Sequence, residues 1–128
     1  MSTHALTISV PTALVLSSNR RPHWAKASKV HSELRMLARA TASHTKVRME
    51  RARCVATLGW PDRRDRDEHN YVHHLLKPLI DGVVDAGWLP NDSGKHLLGP
   101  DPRGCYTGRR GRVVVTLTFT ELADGEDA

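Results

Sequence analysis

The residues with the clearest capacity for chemistry are carboxylates that flank one predicted helix. Asp67 precedes this helix and Asp92 follows it. A hard cation such as Mg²⁺ prefers oxygen ligands, keeps several waters, and needs only one or two carboxylates besides substrate phosphate oxygens. If the helix packs back on a sheet, we expect the two loops to lie side by side, with His69 or Asp65 as a third ligand. The structural alternative is that Asp67 caps the helix and Asp92 belongs to a turn.

A row of basic side chains begins at the same carboxylate loop. His69, His73 and Lys77 follow one another at four-residue spacing, which places them along one flank of the helix. A lysine there could neutralise charge that develops on a cleaved phosphate. The alternative is a lysine whose stem covers the edge of a buried helix face. His69 and His73 could instead bind zinc, although the chain has no HExxH motif and no cysteine nearby in sequence.

Charge lies in blocks along the chain of 128 residues, whose net charge is +5 and whose pI is near 9.7. Residues 1–61 carry +8, residues 62–92 carry −3, residues 93–112 carry +4, and residues 113–128 carry −4. Cations can hold a polyanion while clustered carboxylates hold a metal ion against it, which is the combination a nuclease requires. The alternative is an ordinary solvated surface of mixed sign. The cations predicted to contact DNA are Arg20, Arg21, Lys26, Arg63, Arg64, Arg66, Arg109, Arg110 and Arg112.

Length and composition predict one domain, residues 1–122, followed by an acidic disordered tail, residues 123–128. No apolar run approaches the roughly 18–20 residues of a membrane span. The first residues lack the pattern of a signal peptide, and the two cysteines form no disulfide framework, so a cytoplasmic protein with reduced thiols is predicted.

Hydrophobic periodicity predicts a small α/β (α+β) domain, a mixed sheet of three to four strands with two main helices packed on it. A change of parity predicts a bulge near residues 50–51, and Pro78 predicts an irregular first half of the second helix. The predicted strands are 5–10, 46–58, 96–98 and 113–120, and the predicted helices are 28–42 and 70–86, with Gly87 after the second.

Four motifs in order carry a resemblance to a known family. They are Ser18-Asn19-Arg20 after the first strand, Arg66-Asp67-Glu68-His69-Asn70, then Asp81-Gly82-Val83-Val84-Asp85-Ala86-Gly87, and finally Asn91-Asp92. Together they resemble the RusA-like Holliday junction resolvases, small dimeric endonucleases of phages and prophages. The resemblance covers most of the chain.

The resemblance implies a Mg²⁺-dependent, structure-selective DNA endonuclease, with Mn²⁺ as a substitute metal. It transfers the metal-binding acids to Asp67 and Asp92 and the helix lysine to Lys77. His69 stands where the family has a second acid, so Asp65 is a further candidate ligand. The helix is about one turn longer before Lys77 than in the type enzyme, which makes His73 an alternative to that lysine.

The implied partners are a second copy of the chain and branched DNA with four arms, and neither a membrane nor a small-molecule cofactor is expected. The implied role is recombination, repair or phage DNA processing in the bacterial cytoplasm. Two alternatives stay open: a protein of the same fold that binds branched DNA without cutting it, and a zinc-dependent nuclease that uses His69 and His73.

Overall fold

A computed structural model describes residues 2–19 and 23–123 and contains one mixed sheet of four strands. The strand order is β1-β4-β2-β3; β4 is antiparallel to both of its neighbours, and β2 and β3 are parallel. Two helices accompany the sheet, so the predicted α+β class and mixed sheet are confirmed. Arg20, Arg21 and the tail 124–128 lie outside the described residues. The bounds are β1 Thr3–Pro11, α1 Trp24–Ala42, β2 Ala52–Trp60, α2 Lys77–Asp85, β3 Leu97–Tyr106 and β4 Arg112–Glu121.

Apolar and polar residues alternate along the strands, and because successive side chains point to opposite faces of the sheet, the apolar ones lie on one face. Leu6, Ile8 and Val10 of β1 are buried, while Thr7 between them is exposed. In β4 the same rule buries Val113, Val115, Leu117 and Phe119. One face of the sheet therefore carries the apolar layer on which the helices pack.

The two helices pack closely on each other as well as on the sheet. Val30, Leu34 and Ala38 form the buried stripe of α1, as predicted. Gly82 in α2 lies against the backbone of α1: a Cβ at this position would stand 2.8 Å from the amide nitrogen of Arg39. Glycine therefore sets the short distance between the helices.

The start of α1 differs from the prediction. The helix begins at Trp24, four residues before the predicted start at Ser28. The side chain of His23 caps it, since the Nδ1 atom accepts a hydrogen bond of 3.3 Å from the amide of Ala25. Histidine is not among the residues that usually signal a helix start, which explains the late prediction.

The segment before α2 is irregular, as Pro78 predicts. A 3-10 turn covers Glu68–Tyr71, a π-helical turn covers Val72–Leu76, and regular α-helix begins only at Lys77. Pro78 then lies in the first turn of α2, where its missing N–H costs nothing. At the other end Gly87 has a φ of +92°, the left-handed conformation expected after a helix.

Two strand predictions need correction. Strand β2 spans Ala52–Trp60, so Val47 and Met49 of the predicted strand lie before it, although both are buried. The register shift falls between Arg53 and Val55, in the pairing with β3, and not near residues 50–51.

The second correction concerns the predicted strand 96–98. It continues to Tyr106 through Gly99 and two prolines. Because β3 is an edge strand, a proline N can face the unpaired side without removing a ladder hydrogen bond.

The parallel pair β2–β3 separates the two carboxylate loops. A crossover between parallel strands begins at the carboxyl end of one strand and ends at the amino end of the next. Asp67 follows the carboxyl end of β2, whereas Asp92 lies in the segment leading to the amino end of β3. The amide of Met49, before β2, donates to the carbonyl of Trp88, which fixes that segment at the amino end. The expectation that the two loops lie side by side at one end is therefore wrong.

Both cysteines are free thiols, as predicted. Cys54 in β2 is fully buried, and burial raises the pKa of its thiol to about 12. Cys105, near the carboxyl end of β3, is exposed.

Candidate active site and nucleic-acid interface

Lys77 joins two carboxylates at the start of α2, and we call these three residues the lysine–carboxylate cluster. The Nζ atom of Lys77 lies 2.6 Å from Oδ2 of Asp92 and 3.6 Å from Oδ1 of Asp81. Asp81 follows Lys77 by one helical turn, and Asp92 returns to the helix from the segment after it. The sequence analysis named Lys77 and Asp92 as site residues, and the structure brings them into contact.

Electrostatics couple the three groups. The hydrogen bond to Asp92 raises the pKa of Lys77, and the same bond lowers the pKa of Asp92. Partial burial, and then the charge of Asp92, raise the pKa of Asp81, although Lys77 opposes them. The pKa of Asp81 is raised partly by the charge of Asp92, so the two carboxyl groups influence each other. The cluster can therefore hold a cation between two acids, or present an ammonium group to an anion.

Asp81 is the member of the cluster that the sequence analysis missed as a site residue. The available signal was its spacing of four residues from Lys77, which places both on one face of a helix. Asp85, one turn further along, pairs instead with Arg35 of α1, whose Nη2 lies 2.8 Å from Oδ1 of Asp85.

Asp67 and His69 lie apart from this cluster. The Oδ1 atom of Asp67 accepts a hydrogen bond of 3.1 Å from the amide of His69 and lies 3.3 Å from its Nδ1. Asp67 thus caps the 3-10 turn, which is the structural alternative weighed for it. Both side chains are exposed, at 65% and 76%. Asp65 precedes them in the same loop and is exposed too.

The described ranges contain no group of three or more His, Cys, Asp or Glu side chains arranged to hold a metal ion. In particular, Asp67, His69 and Asp92 do not form the three-ligand group that the sequence analysis expected.

His73 contacts two other histidines. Its ring centroid lies 4.6 Å from that of His74 and 5.9 Å from that of His31 on α1. His31 Nε2 and His74 Nδ1 are 2.9 Å apart and share a hydrogen bond. Partial burial, followed by the charge of His73, lowers the pKa of both His31 and His74. The histidines thus lie beside the lysine–carboxylate cluster. A cleft of about 360 Å³ is lined by residues of both groups, among them His31, His73, Lys77 and Asp81.

The predicted DNA-contacting residues that the structure describes, without Arg20 and Arg21, lie toward the carboxyl end of β2. Strand register places the ends of β1, β2 and β3 and the start of β4 together, since Pro11 pairs with Arg112 and Trp60 with Tyr106. We call this end of the sheet, together with the loops that extend from it, the cationic end. Its described cations are Lys26, Arg63, Arg64, Arg66, Arg109, Arg110 and Arg112.

Aromatic rings hold two of these arginines. The guanidinium of Arg66 lies 4.3 Å from the ring centroid of Trp60, and that of Arg63 lies 4.1 Å from the ring centroid of Tyr106. Arg66 also binds Asp62, with Nη2 and Oδ1 2.7 Å apart. Such contacts orient the planar groups before a ligand arrives.

A groove of about 810 Å³ opens beside these arginines. Its charged lining comes from Lys26, Arg64, Arg66 and Asp62, His23 also lines it, and its apolar lining includes Val15, Leu16, Pro61, Tyr71 and Val113. It was not predicted, because its walls come from the loop after β1, from α1, from the end of β2 with the segment that follows it, and from β4.

Comparison of the sequence with models of known protein families and with curated proteins gives no match. Among the residues that the structure describes, no helix is both long and apolar enough to cross a membrane.

Proposed function

We propose that the protein is a metal-dependent endonuclease that cuts branched DNA, as the resemblance to the RusA-like resolvases implies. The observation that supports it best is the lysine–carboxylate cluster, in which Lys77 contacts both Asp81 and Asp92. A lysine beside two acids provides, in one place, groups that suit a cation and a phosphate. Neither a helix cap nor a surface turn requires that arrangement.

The cluster suits Mg²⁺, and Mn²⁺ in its place. Two partly buried carboxylates that contact the same ammonium group offer oxygen ligands, and substrate phosphate oxygens and water can supply the rest. Asp81 and Asp92 would hold the ion, which would activate water for attack on phosphorus. We therefore propose Asp81 in the place that the sequence analysis gave to Asp67 and His69.

The protein's own groups have separate tasks in this proposal. Asp92 positions the ammonium of Lys77 by their short hydrogen bond. Lys77 stabilises the negative charge that develops on the phosphate oxygens as the bond breaks. The cationic end holds the DNA arms through phosphate contacts, which would make binding independent of sequence and sensitive to salt. A two-fold dimer fits a four-way junction, because the junction needs two symmetric cuts.

The direct test is nicking of a synthetic four-way junction in Mg²⁺. We expect cleavage by the wild type and a large loss in Asp92→Asn and Asp81→Asn. Asp101→Asn is the matched control, because Asp101 is an exposed acid on β3 that pairs with Arg103 away from the cluster. Cleavage retained in both cluster variants would contradict the proposed site.

Asp67→Asn and His69→Ala distinguish the two proposed sets of metal ligands. If these variants lose cleavage while Asp81→Asn retains it, the ligand set implied by the resemblance is right and ours is wrong. Junction binding without cleavage in the wild type would identify the protein as a DNA-binding module. Zinc that copurifies and is lost in His73→Ala would favour the zinc-dependent nuclease.

A further inference from the structure

We propose that the groove at the cationic end binds an unpaired DNA strand, such as a strand separated at a branch point. The inference depends on DNA being the partner proposed above. It adds the form of DNA that this groove accepts, and it assigns the groove a task separate from the grip on duplex arms.

The groove combines an apolar wall with a charged rim. Leu16, Tyr71 and Val113 contribute to the wall, and Lys26 and Arg64 to the rim. Duplex DNA keeps its base faces stacked inside and presents phosphates outside, so it has nothing to place against an apolar wall. An unpaired strand exposes flat base faces beside its phosphates, and grooves that bind single strands have this same pairing of surfaces.

The cations at the rim are placed for a phosphate chain. Lys26 and Arg64 are exposed, and Arg64 also pairs with Asp62 of the groove lining, with Nη2 and Oδ2 3.1 Å apart. Arg66 is held between Trp60 and Asp62, so its guanidinium contributes a positive charge at a fixed place in the lining.

Trp24 supplies a stacking surface next to the groove. His23 lines the groove, and the ring of Trp24 stacks on that of His23, with centroids 5.7 Å apart and an interplanar angle of 27°. Trp24 itself is 78% exposed, more than the other exposed large apolar side chains of the described residues. An exposed indole beside cations is the arrangement on which unpaired bases stack without regard to sequence.

The probe for this inference is a fluorescein-labelled oligothymidine of about ten nucleotides, within the span of known single-strand sites. Its binding is followed by fluorescence anisotropy over a series of salt concentrations, with EDTA present so that no cleavage occurs. We expect it to bind more tightly than a duplex of equal length.

Two pairs of variants on α1 separate stacking from charge. Trp24→Ala should weaken binding about fivefold to a hundredfold, the range found for loss of one stacking contact. Met36→Ala, which removes another exposed apolar side chain of α1, should leave binding unchanged. Lys26→Ala should lower the slope of log K against log salt by about 0.7, the value for one phosphate contact on a single strand. Lys29→Ala should leave this slope unchanged, because Lys29 lies one helical turn from Lys26 and outside the groove lining.

Equal binding by Trp24→Ala and Met36→Ala would overturn the inference. So would a duplex that binds as tightly as the oligothymidine and is equally weakened by Trp24→Ala. The proposed function is tested separately, since loss of junction nicking in Asp92→Asn is measured in Mg²⁺. The groove inference can thus fail while the nuclease proposal stands, and the reverse also holds.

Discussion

At the carboxyl end of β2 the cations lie over aromatic rings or on exposed turns, whereas on the helix that runs toward the amino end Lys77 is held between two carboxylates. Arg63 and Arg66 lie over the rings of Tyr106 and Trp60 at the first place. Lys77 is bound to Asp92 at the second. The first arrangement can follow a flexible polyanion, and the second fixes one charge at one point. Positively charged side chains are thus arranged for binding at the carboxyl end of β2, and for a reaction at Lys77.

The largest effect that this comparison predicts is on turnover at the lysine–carboxylate cluster. Lys77→Ala should lower the single-turnover rate of junction nicking roughly a hundredfold to a thousandfold, as expected for removal of a group that stabilises the transition state. Junction affinity should change much less, because the arms would be held at the cationic end. Lys95→Ala, an exposed lysine in the turn before β3, is the control. Equal losses in both variants would remove the distinction between the two regions.

The next effect is on stability. Gly82→Ala places a Cβ against the carbonyl oxygen of Arg35 and 2.8 Å from the Cβ of Ala38, so α2 must move away from α1. We expect a loss of about 1–3 kcal/mol in the free energy of unfolding, measured in urea. Gly94→Ala, where a Cβ meets nothing within 4 Å, should change it by less than about 0.5 kcal/mol.

Gly82→Ala also tests whether the lysine–carboxylate cluster and the cationic end act separately, because Gly82 adjoins Asp81 and does not line the groove. Junction nicking should fall in folded Gly82→Ala protein while binding of the oligothymidine is retained. A parallel loss of both would mean that the two regions depend on each other.

A smaller effect is expected from a single cation at the cationic end. Arg110→Ala should reduce the slope of log K against log salt for duplex DNA by about 0.9, with a severalfold loss of affinity at low salt. Arg48→Ala, just before the amino end of β2, removes the same charge from the opposite end of the sheet. If Arg48→Ala lowers the slope as much, the DNA is not confined to the cationic end.

The smallest effect is a dependence of stability on pH from the partly buried pair His31 and His74. Because the pKa values of His31 and His74 are lowered in the folded protein, the unfolded chain binds more protons below the ordinary value of 6.5. The free energy of unfolding should therefore fall as the pH drops through about 6.5 toward the folded pKa values.

Thermal unfolding at several pH values measures the slope of the unfolding free energy against pH. His74→Gln should reduce this slope. His44→Gln, in the exposed turn after α1, should leave it unchanged. A slope that His74→Gln does not alter would mean that other groups are responsible.

Local periodicity was sufficient to predict β1, β4 and the buried stripes of the helices, but not the bounds of β2 and β3. Val113 to Phe119 alternate because one face of β4 is buried, and Val30, Leu34 and Ala38 recur at helical spacing for the same reason. Periodicity does not give strand direction. The parallel pairing of β2 with β3, which places Asp67 and Asp92 at different ends, could not be read from those residues.

The candidate site was predictable only in part. Lys77 and Asp92 could be named from their residue types and positions, and Asp81 by its four-residue spacing from Lys77, but the direction in which α2 presents them follows irregular turns. A 3-10 turn, a π turn and an α-helix have different numbers of residues per turn, and the sequence 68–76 fits each of them nearly as well. The direction of every side chain after that point depends on which is adopted.

The two cysteines give the protein a built-in position for chemical labelling. The thiol of Cys54 is sealed in the core and its raised pKa disfavours the reactive thiolate, so a maleimide at neutral pH should select Cys105. Cys105 pairs with Gly59 in the sheet, one residue from Trp60. A fluorophore could therefore be attached beside the cationic end of the unmutated chain, where its emission would report on the arrival and departure of ligands in real time.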